Sequence, residues 1–448
     1  MKKLILAAFT LVLGIGSATA QFDDVKKFLM LQQYPMAKQS LDGLANKPKA
    51  NTKPEYFLAK ATVLSHLMKT AKPPESTKMR EESVEAYRKY LELDPSNTGN
   101  LLGDNAYRDA PINYYVSYYQ ESIDQFNKED FANSSTGFKN MVDWSDFLIK
   151  NKMLNYTLDT AAVYLAGASH QNAKKYDEAA GYYARLADAG VGGPDYLNVY
   201  KFLMSHNFER GNIDAFQKYR QTGKKLYPKE EFFDYDEMEF ILGMEDEAEK
   251  MKRLEAKMAK DPNDVKLAQL YGNLLFDKLN QKDVNTNTPE YAAEEAKMMA
   301  ALTKTATAMP EDPSSNFLMG KHIWYKADRK RNEISDVNDE IRKFNDAQKP
   351  DKTGKLPPPP KELTAKRDNL RQEQGAYMDQ AVPYLLKAEP VMAKTYTSNK
   401  QTKQNYKILV DDMIQYYGFK RQYAKTPAEK TKFEAEEKKW DNVYAKIQ

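Results

Sequence analysis

From Thr160 to Gly190 the chain reads TAAVYLAGASHQNAKKYDEAAGYYARLADAG, and the spacing inside this stretch decides the fold. Counted from Thr160, Gly167 stands eighth, Tyr176 seventeenth, Ala179 twentieth and Tyr183 twenty-fourth. Apolar residues recur at intervals of three and four, and period-2 alternation is absent, so helices are expected and strands are not. A small residue at position 8 lets one helix of a pair approach the other. A small residue at 20 and an aromatic ring at 24 fill the gap between them.

The same spacing extends outward. Segments 197–230, 231–264 and 265 onward align without gaps at 34 residues, and Pro228 and Pro262 close the first two by stopping a helix. AYRKYLELDP places Tyr87 at position 24 and Pro95 at 32, VKLAQLYGNLLFDKLN places Gly272 at 8, and Pro310 with Gly320 repeats that arrangement. Other units depart, with Phe216 and Lys250 at position 20. Thirty-four residues is the period of the tetratricopeptide repeat (TPR). The chain resembles that family at these positions, and its opening stretches QQYPMAKQSLDGL and KPKANTKPEYFLAKA are similar to the first units of exported bacterial members. The resemblance implies an all-α, TPR-like helical repeat solenoid of about eight helix pairs over 21–390. A C-terminal capping pair over 391–448 follows, its helices expected at Lys400 to Tyr417 and Pro427 to Ile447.

Composition is consistent with a soluble, ordered chain: 448 residues, 41% hydrophobic, 12% aromatic, 67 Lys plus Arg against 64 Asp plus Glu, and a mean hydropathy of -0.76. Lys2 and Lys3, the 13-residue apolar run Leu4 to Gly16 and the small residues to Ala20 form a secretory signal pattern over 1–20, with cleavage expected before Gln21. The run is shorter than the ~20 residues of a spanning helix. Removing Lys2 and Lys3 leaves 65 cations against 64 acids, a net +1, which gives no drive toward nucleic acid or anionic lipid. With no Cys, the chain has no disulfide, lipidated cysteine, thiol nucleophile or Cys-based metal site. The chain is expected in the periplasm, or secreted.

Two interruptions break the pattern. In NQKDVNTNTPE, Asp283, Asn285 and Asn287 stand at positions 1, 3 and 5 of a calcium loop, with Glu294 at 12. Thr288 occupies position 6, which calls for Gly, and the favoured reading makes Thr288 the cap of a helix starting at Pro289. Over 327–375, Ile334, Val337, Ile341 and Phe344 on one side and Leu363, Leu370 and Tyr377 on the other follow a heptad-like seam. They read as an antiparallel hairpin reaching roughly 30 Å beyond the repeat. This hairpin is either a handle for a partner or a tolerated insertion.

The resemblance also implies a concave protein-binding face built from the first helix of each unit. It places there Tyr119, Tyr164, Lys201, Phe202, Tyr235, Gln269, Asn273, Phe317, Lys321 and Trp324. This lining is aromatic, and no three successive units supply the Lys and Asn set with which chaperone-docking members hold a carboxylate. An apolar or aromatic segment of a protein partner suits it, although such rings also pack against neighbouring repeats. Ten acids without a Lys or Arg run from Glu230 to Glu249, and seven Lys or Arg against two acids run from Val391 to Lys425; each reads as a solvated face or a steering charge. His66, His170, His206 and His322 have no convincing catalytic partners, and no metalloprotease, nucleophile-elbow, phosphate-loop or dinucleotide pattern occurs. The expected function is a non-enzymatic scaffold without a cofactor that binds exported or outer-membrane proteins. The alternative is a glycan- or nutrient-binding protein with TPR-like helices.

Overall fold

The computed structural model of the chain describes residues 21–282, 284–349 and 356–447. The signal segment 1–20 and Asp283 lie outside these residues. Among the described residues there are α-helices and short 3₁₀ turns and no strand. The chain divides into two units at Phe240 and Ile241.

The first unit contains α1 (Asp23–Met30), α2 (Tyr34–Ala45), α3 (Pro48–Asn51), α4 (Pro54–Leu67), α5 (Glu75–Leu93), α6 (Ala110–Asn127), α7 (Phe131–Lys150), α8 (Thr160–Asn172), α9 (Tyr176–Asp188), α10 (Leu197–Glu209) and α11 (Ile213–Leu226). A six-residue α12 (Glu237–Leu242) follows. The second unit holds α13 (Glu247–Lys260), α14 (Val265–Leu279), α15 (Pro289–Ala308), α16 (Ser314–Asp346), α17 (Lys361–Thr395), α18 (Lys400–Gln422) and α19 (Pro427–Ile447).

Packing within each unit follows chain order. α4 pairs with α5, α6 with α7, α8 with α9 and α10 with α11. In the second unit α14 pairs with α15, α16 with α17 and α18 with α19. Each pair then rests on the next, for example α7 on α8 and α9 on α10. Short connections make the partners antiparallel, and contact concentrated between helices close in sequence is the organisation of a repeat stack. The fold is therefore an all-α, TPR-like helical repeat.

The glycines at position 8 mark the closest approaches. A Cβ on Gly167 would lie 2.5 Å from the Tyr183 ring, one on Gly272 would lie 2.7 Å from Leu302, and one on Gly320 would lie 2.6 Å from Leu385. Each pair joins the two helices of one unit. In 197–230, where position 20 holds the fully buried Phe216, the close approach has moved to Gly223, which meets Phe233. Aromatic residues dominate the first unit's core: Tyr87 has Trp144, Phe147 and Tyr114 at 5.5, 5.7 and 6.0 Å. Each such pair adds about 0.5–1.5 kcal/mol beyond area burial.

Three sequence expectations need correction. The first helix of 231–264 is reduced to a 3₁₀ turn (Glu231–Phe233) and α12. Its acids repel one another, and Asp236 caps the backbone amides of Met238 and Glu239 at 2.7 and 3.1 Å instead of lying inside a helix. The helix expected to end at Tyr417 continues to Gln422 because Phe419 has an apolar seat, its ring 3.0 Å from where a Cβ on Gly375 would be. The hairpin of α16 and α17 is also less isolated than expected. Ile334, Val337, Ile341 and Leu370 are buried along its seam with Leu363 against them, but α18 braces its base. Arg331 donates to Gln415 at 2.7 Å, and Arg371 lies 5.7 Å from the Tyr423 ring. The turns of α16 beyond Ile334 extend about 18 Å.

Candidate functional site

In the first unit the structure brings Tyr164 and Phe202 together through a ring the sequence had assigned to packing. Asp159 fixes the start of α8 by accepting from the Ala162 amide at 3.0 Å. This sets Tyr164 edge-on to Tyr196 at 5.6 Å and 6.3 Å from Tyr183. Tyr183 meets Phe202 at 5.2 Å, edge to face, and Phe202 stacks on His206 at 5.5 Å. Tyr176 closes the row 6.4 Å from Phe202 and remains 47% exposed. Tyr183 donates to Gln171 Oε1 at 2.9 Å, and burial pushes its hydroxyl well above the ordinary tyrosine range. Tyr164 and Phe202 are half-buried. The sequence reading missed Tyr176 because position 17 opens the second helix of the unit, outside the first-helix positions used for the face.

On α6, Tyr119 is 42% exposed, and Ile112 and Val116 are each 40% exposed on the same side, at i, i+4 and i+7. Tyr114, five residues before Tyr119, is fully buried: its hydroxyl lies 2.6 Å from Ser83 Oγ and its ring 4.7 Å from Trp144. The run YYVSYY thus divides between core and surface. A groove of about 650 Å³ follows α6, with Met68, Pro73, Ile112 and Val116 among its apolar walls. Arg80 lines it too, 4.3 Å from the Tyr118 ring and paired with Glu121. Farther along the unit, Lys201 Nζ lies 3.0 Å from Glu230 and 5.5 Å from the Phe232 ring, and the exposed Tyr235 meets Phe232 at 6.3 Å.

The second unit treats its candidates differently. Gln269 donates to Asp312 at 2.5 Å. Asn273 and Phe317 line one cavity of about 250 Å³. Phe317, Lys321 and Trp324 are buried, Trp324 to 1% exposure, which corrects their placement on a binding face. The reason is α18: its Asp412 reaches Lys321 Nζ at 2.6 Å, and Trp324 joins a core with Met378, Leu385 and Met413. Burial raises the Asp412 carboxyl to about 7, against the opposing pull of Lys321.

The histidines are structural in setting. His66 stacks on Tyr34 at 4.1 Å, and His170 Nδ1 lies 2.7 Å from the Ala166 carbonyl oxygen; burial lowers the pKa of both. His322 is held on both sides, 3.0 Å from Asn280 Oδ1 and 3.0 Å from Glu295 Oε1. Asn280 is oriented by its own donation to the Phe276 carbonyl at 2.7 Å. The hydrogen bond between His322 and Glu295, followed by Lys326, holds the Glu295 carboxyl down at about 2.

Of the calcium-loop residues that the structure describes, Asn285 and Glu294 are otherwise engaged. Thr288 accepts from the Tyr291 amide at 3.1 Å as the cap of α15, Glu294 pairs with Lys278 at 2.5 Å, and Asn285 accepts from the Asn287 amide at 3.0 Å. No cluster of three or more His, Asp or Glu suited to a metal occurs among the described residues, and none of their helices is long and apolar enough to cross a membrane. The charge runs are partly spent locally: Glu249 pairs with Arg253, Lys420 with Asp379 and Arg421 with Glu437.

No protein-family model matches the chain, and no curated protein matches it. Among solved structures it is similar to one described as "Structure of Naa15/Naa10 bound to HypK-THB", at 13% identity, covering 94% of this chain and 68% of that one, with a TM-score of 0.18. At that score the two chains do not superpose as wholes. The TPR-like character of this protein is carried by its own sequential helix pairs and the glycine contacts at position 8.

Proposed function

We propose that the chain is a non-catalytic scaffold of the periplasm that holds exported or outer-membrane proteins through exposed aromatic residues on its repeat helices. The observation that supports this most is the row Tyr164, Tyr183, Phe202 and Tyr176. Its rings are already in mutual contact, Tyr183 edge to face with Phe202 and the outer two tilted, and its end stands in water. Burying one large apolar side chain contributes about 1.5–3 kcal/mol, and rings held in place lose little rotamer freedom when a partner arrives. An apolar or aromatic partner segment, extended or helical, is the chemistry that fits. The Lys2 to Ala20 pattern supports export.

The test is affinity capture from the native host with Tyr119→Ser and Tyr176→Ser, separately and together. Both residues are exposed, so the fold is expected to persist with a stability change of about 0.5 kcal/mol or less. The double variant is expected to lose partners that the native chain retains. Equal recovery of the same partners would remove the aromatic surface from the proposal. Sequencing the mature N-terminus tests export, with Gln21 as the expected first residue.

A further inference from the structure

We infer that the second unit binds a neutral hydroxylated ring, a hexose, in the cavity where α14, α16, α17 and α18 meet. Asn273 comes from α14, Ser314, Phe317 and Leu318 from the first turns of α16, Met392 from the end of α17 and Asn405 from the start of α18. No ionisable side chain lines this cavity, so a charged ligand would lose its hydration there without a counter-charge.

Of the polar lining, Thr395 and Thr402 donate to the Val391 and Asn399 carbonyls, and the remainder is partly unspent. Asn273 Oδ1 is buried without a hydrogen-bond partner, a condition rare enough in folded proteins to need a cause. The Asn273 and Ser314 side chains make no hydrogen bond within the described residues. Asn405 uses its oxygen to accept from Gln401 at 2.9 Å and leaves its amide hydrogens over. The cavity therefore offers an acceptor at Asn273, donors at Asn273 and Asn405 and a two-way hydroxyl at Ser314, set against Phe317, Leu318 and Met392. Hydroxyls that both donate and accept, fixed around a ring with an apolar C–H face, complement that set.

Size points the same way. At about 250 Å³ the space is smaller than pockets that take drug-sized molecules, roughly 300–1,000 Å³, and suits one ring. Such a ring could be a free monosaccharide or the terminal residue of a glycan, since both present the same hydroxyls. This site is separate from the aromatic row, so its failure would leave the scaffold proposal untouched.

The experiment is ligand-observed NMR and calorimetry on the full mature chain, using glucose, galactose and mannose and their methyl glycosides. Binding is expected for at least one hexose, with a Kd on the order of 1 mM. Retention of the methyl glycoside would assign a glycan terminus, and its exclusion would assign the free sugar. Asn273→Leu removes the orphaned acceptor and is expected to abolish binding while leaving the melting temperature equal or higher. Ser314→Trp, at an exposed first-turn position, plugs the cavity and is expected to abolish binding independently. Absence of binding by the folded native chain to all six probes, or binding unchanged in both variants, would overturn the assignment.

Discussion

Gly167 of α8 lies under the ring of Tyr183 in α9, so close that a methyl group on the glycine would sit 2.5 Å from Cε1. The two residues stand at positions 8 and 24 of one unit, and each is what the other requires. Gly167→Val is expected to force the ring aside and lower stability by about 1–3 kcal/mol, read as a fall in melting temperature. In the Tyr183→Ala background the same substitution should cost far less. Equal costs in the two backgrounds would show that the contact does not set the helix spacing.

Lys321 and Asp412 form a buried pair, so removing one member leaves the other polar group buried without its partner. Lys321→Met alone is expected to cost about 3–5 kcal/mol, whereas Lys321→Met with Asp412→Leu should come close to the native stability. Chemical denaturation of the single and double variants reads the difference. Additive losses would mean the two side chains do not act as a pair.

Glu295 is held at about 2, below its ordinary 4.5, chiefly by its hydrogen bond to His322 and then by Lys326. A carboxylate depressed in the folded state stabilises fully above its unfolded pKa and loses that contribution as pH falls through its folded pKa. The native chain should therefore lose part of its stability between pH 4.5 and about 2, and Glu295→Gln should flatten that slope. Identical slopes for native chain and variant would place the acid sensitivity elsewhere.

Thr288 closes α15, and Glu294 is taken by Lys278. Thr288→Val is expected to cost about 1 kcal/mol through the lost cap. EDTA should leave the melting temperature unchanged, whereas a fall on chelation and recovery with Ca²⁺ would revive the calcium reading.

The hairpin divides into a braced base and a free end. Replacing 338–366 with a short loop removes only the outer part of its self-packed seam, Ile341 and Leu363, and should barely move the melting temperature of the remainder. Replacing 328–375 also removes the Lys330–Glu373 pair, at 2.9 Å, and the Gly375 seat of Phe419, and should lower it clearly. Similar melting for both deletions would deny the bracing role of α18.

The helix class, the 34-residue spacing and the glycine approaches were legible because they depend on local periodicity and on one residue having no side chain. Tyr183 and Gly167 could be paired by counting. The binding face was only partly legible. Lys321 and Trp324 occupy first-helix positions that look open in sequence, but the extension of α16 into a hairpin lets α18 close over them, a long-range event that no local pattern announces. Tyr235 remains exposed but stands outside any helix, because local acid repulsion and capping by Asp236 overrode the repeat period there. Tyr176, outside the positions assigned to the face, needed coordinates to show that Phe202 lies beside it.

The most direct measurement is photo-crosslinking in intact cells with benzoylphenylalanine placed in turn at Tyr176, at Tyr119 and, as a control, at the exposed Asp214 of α11. The expected result is a discrete adduct from Tyr176 and from Tyr119, with none from Asp214, that weakens when the other exposed tyrosine is changed to serine. No adduct from either tyrosine, or an equally strong one from Asp214, would contradict a partner held by the aromatic surface.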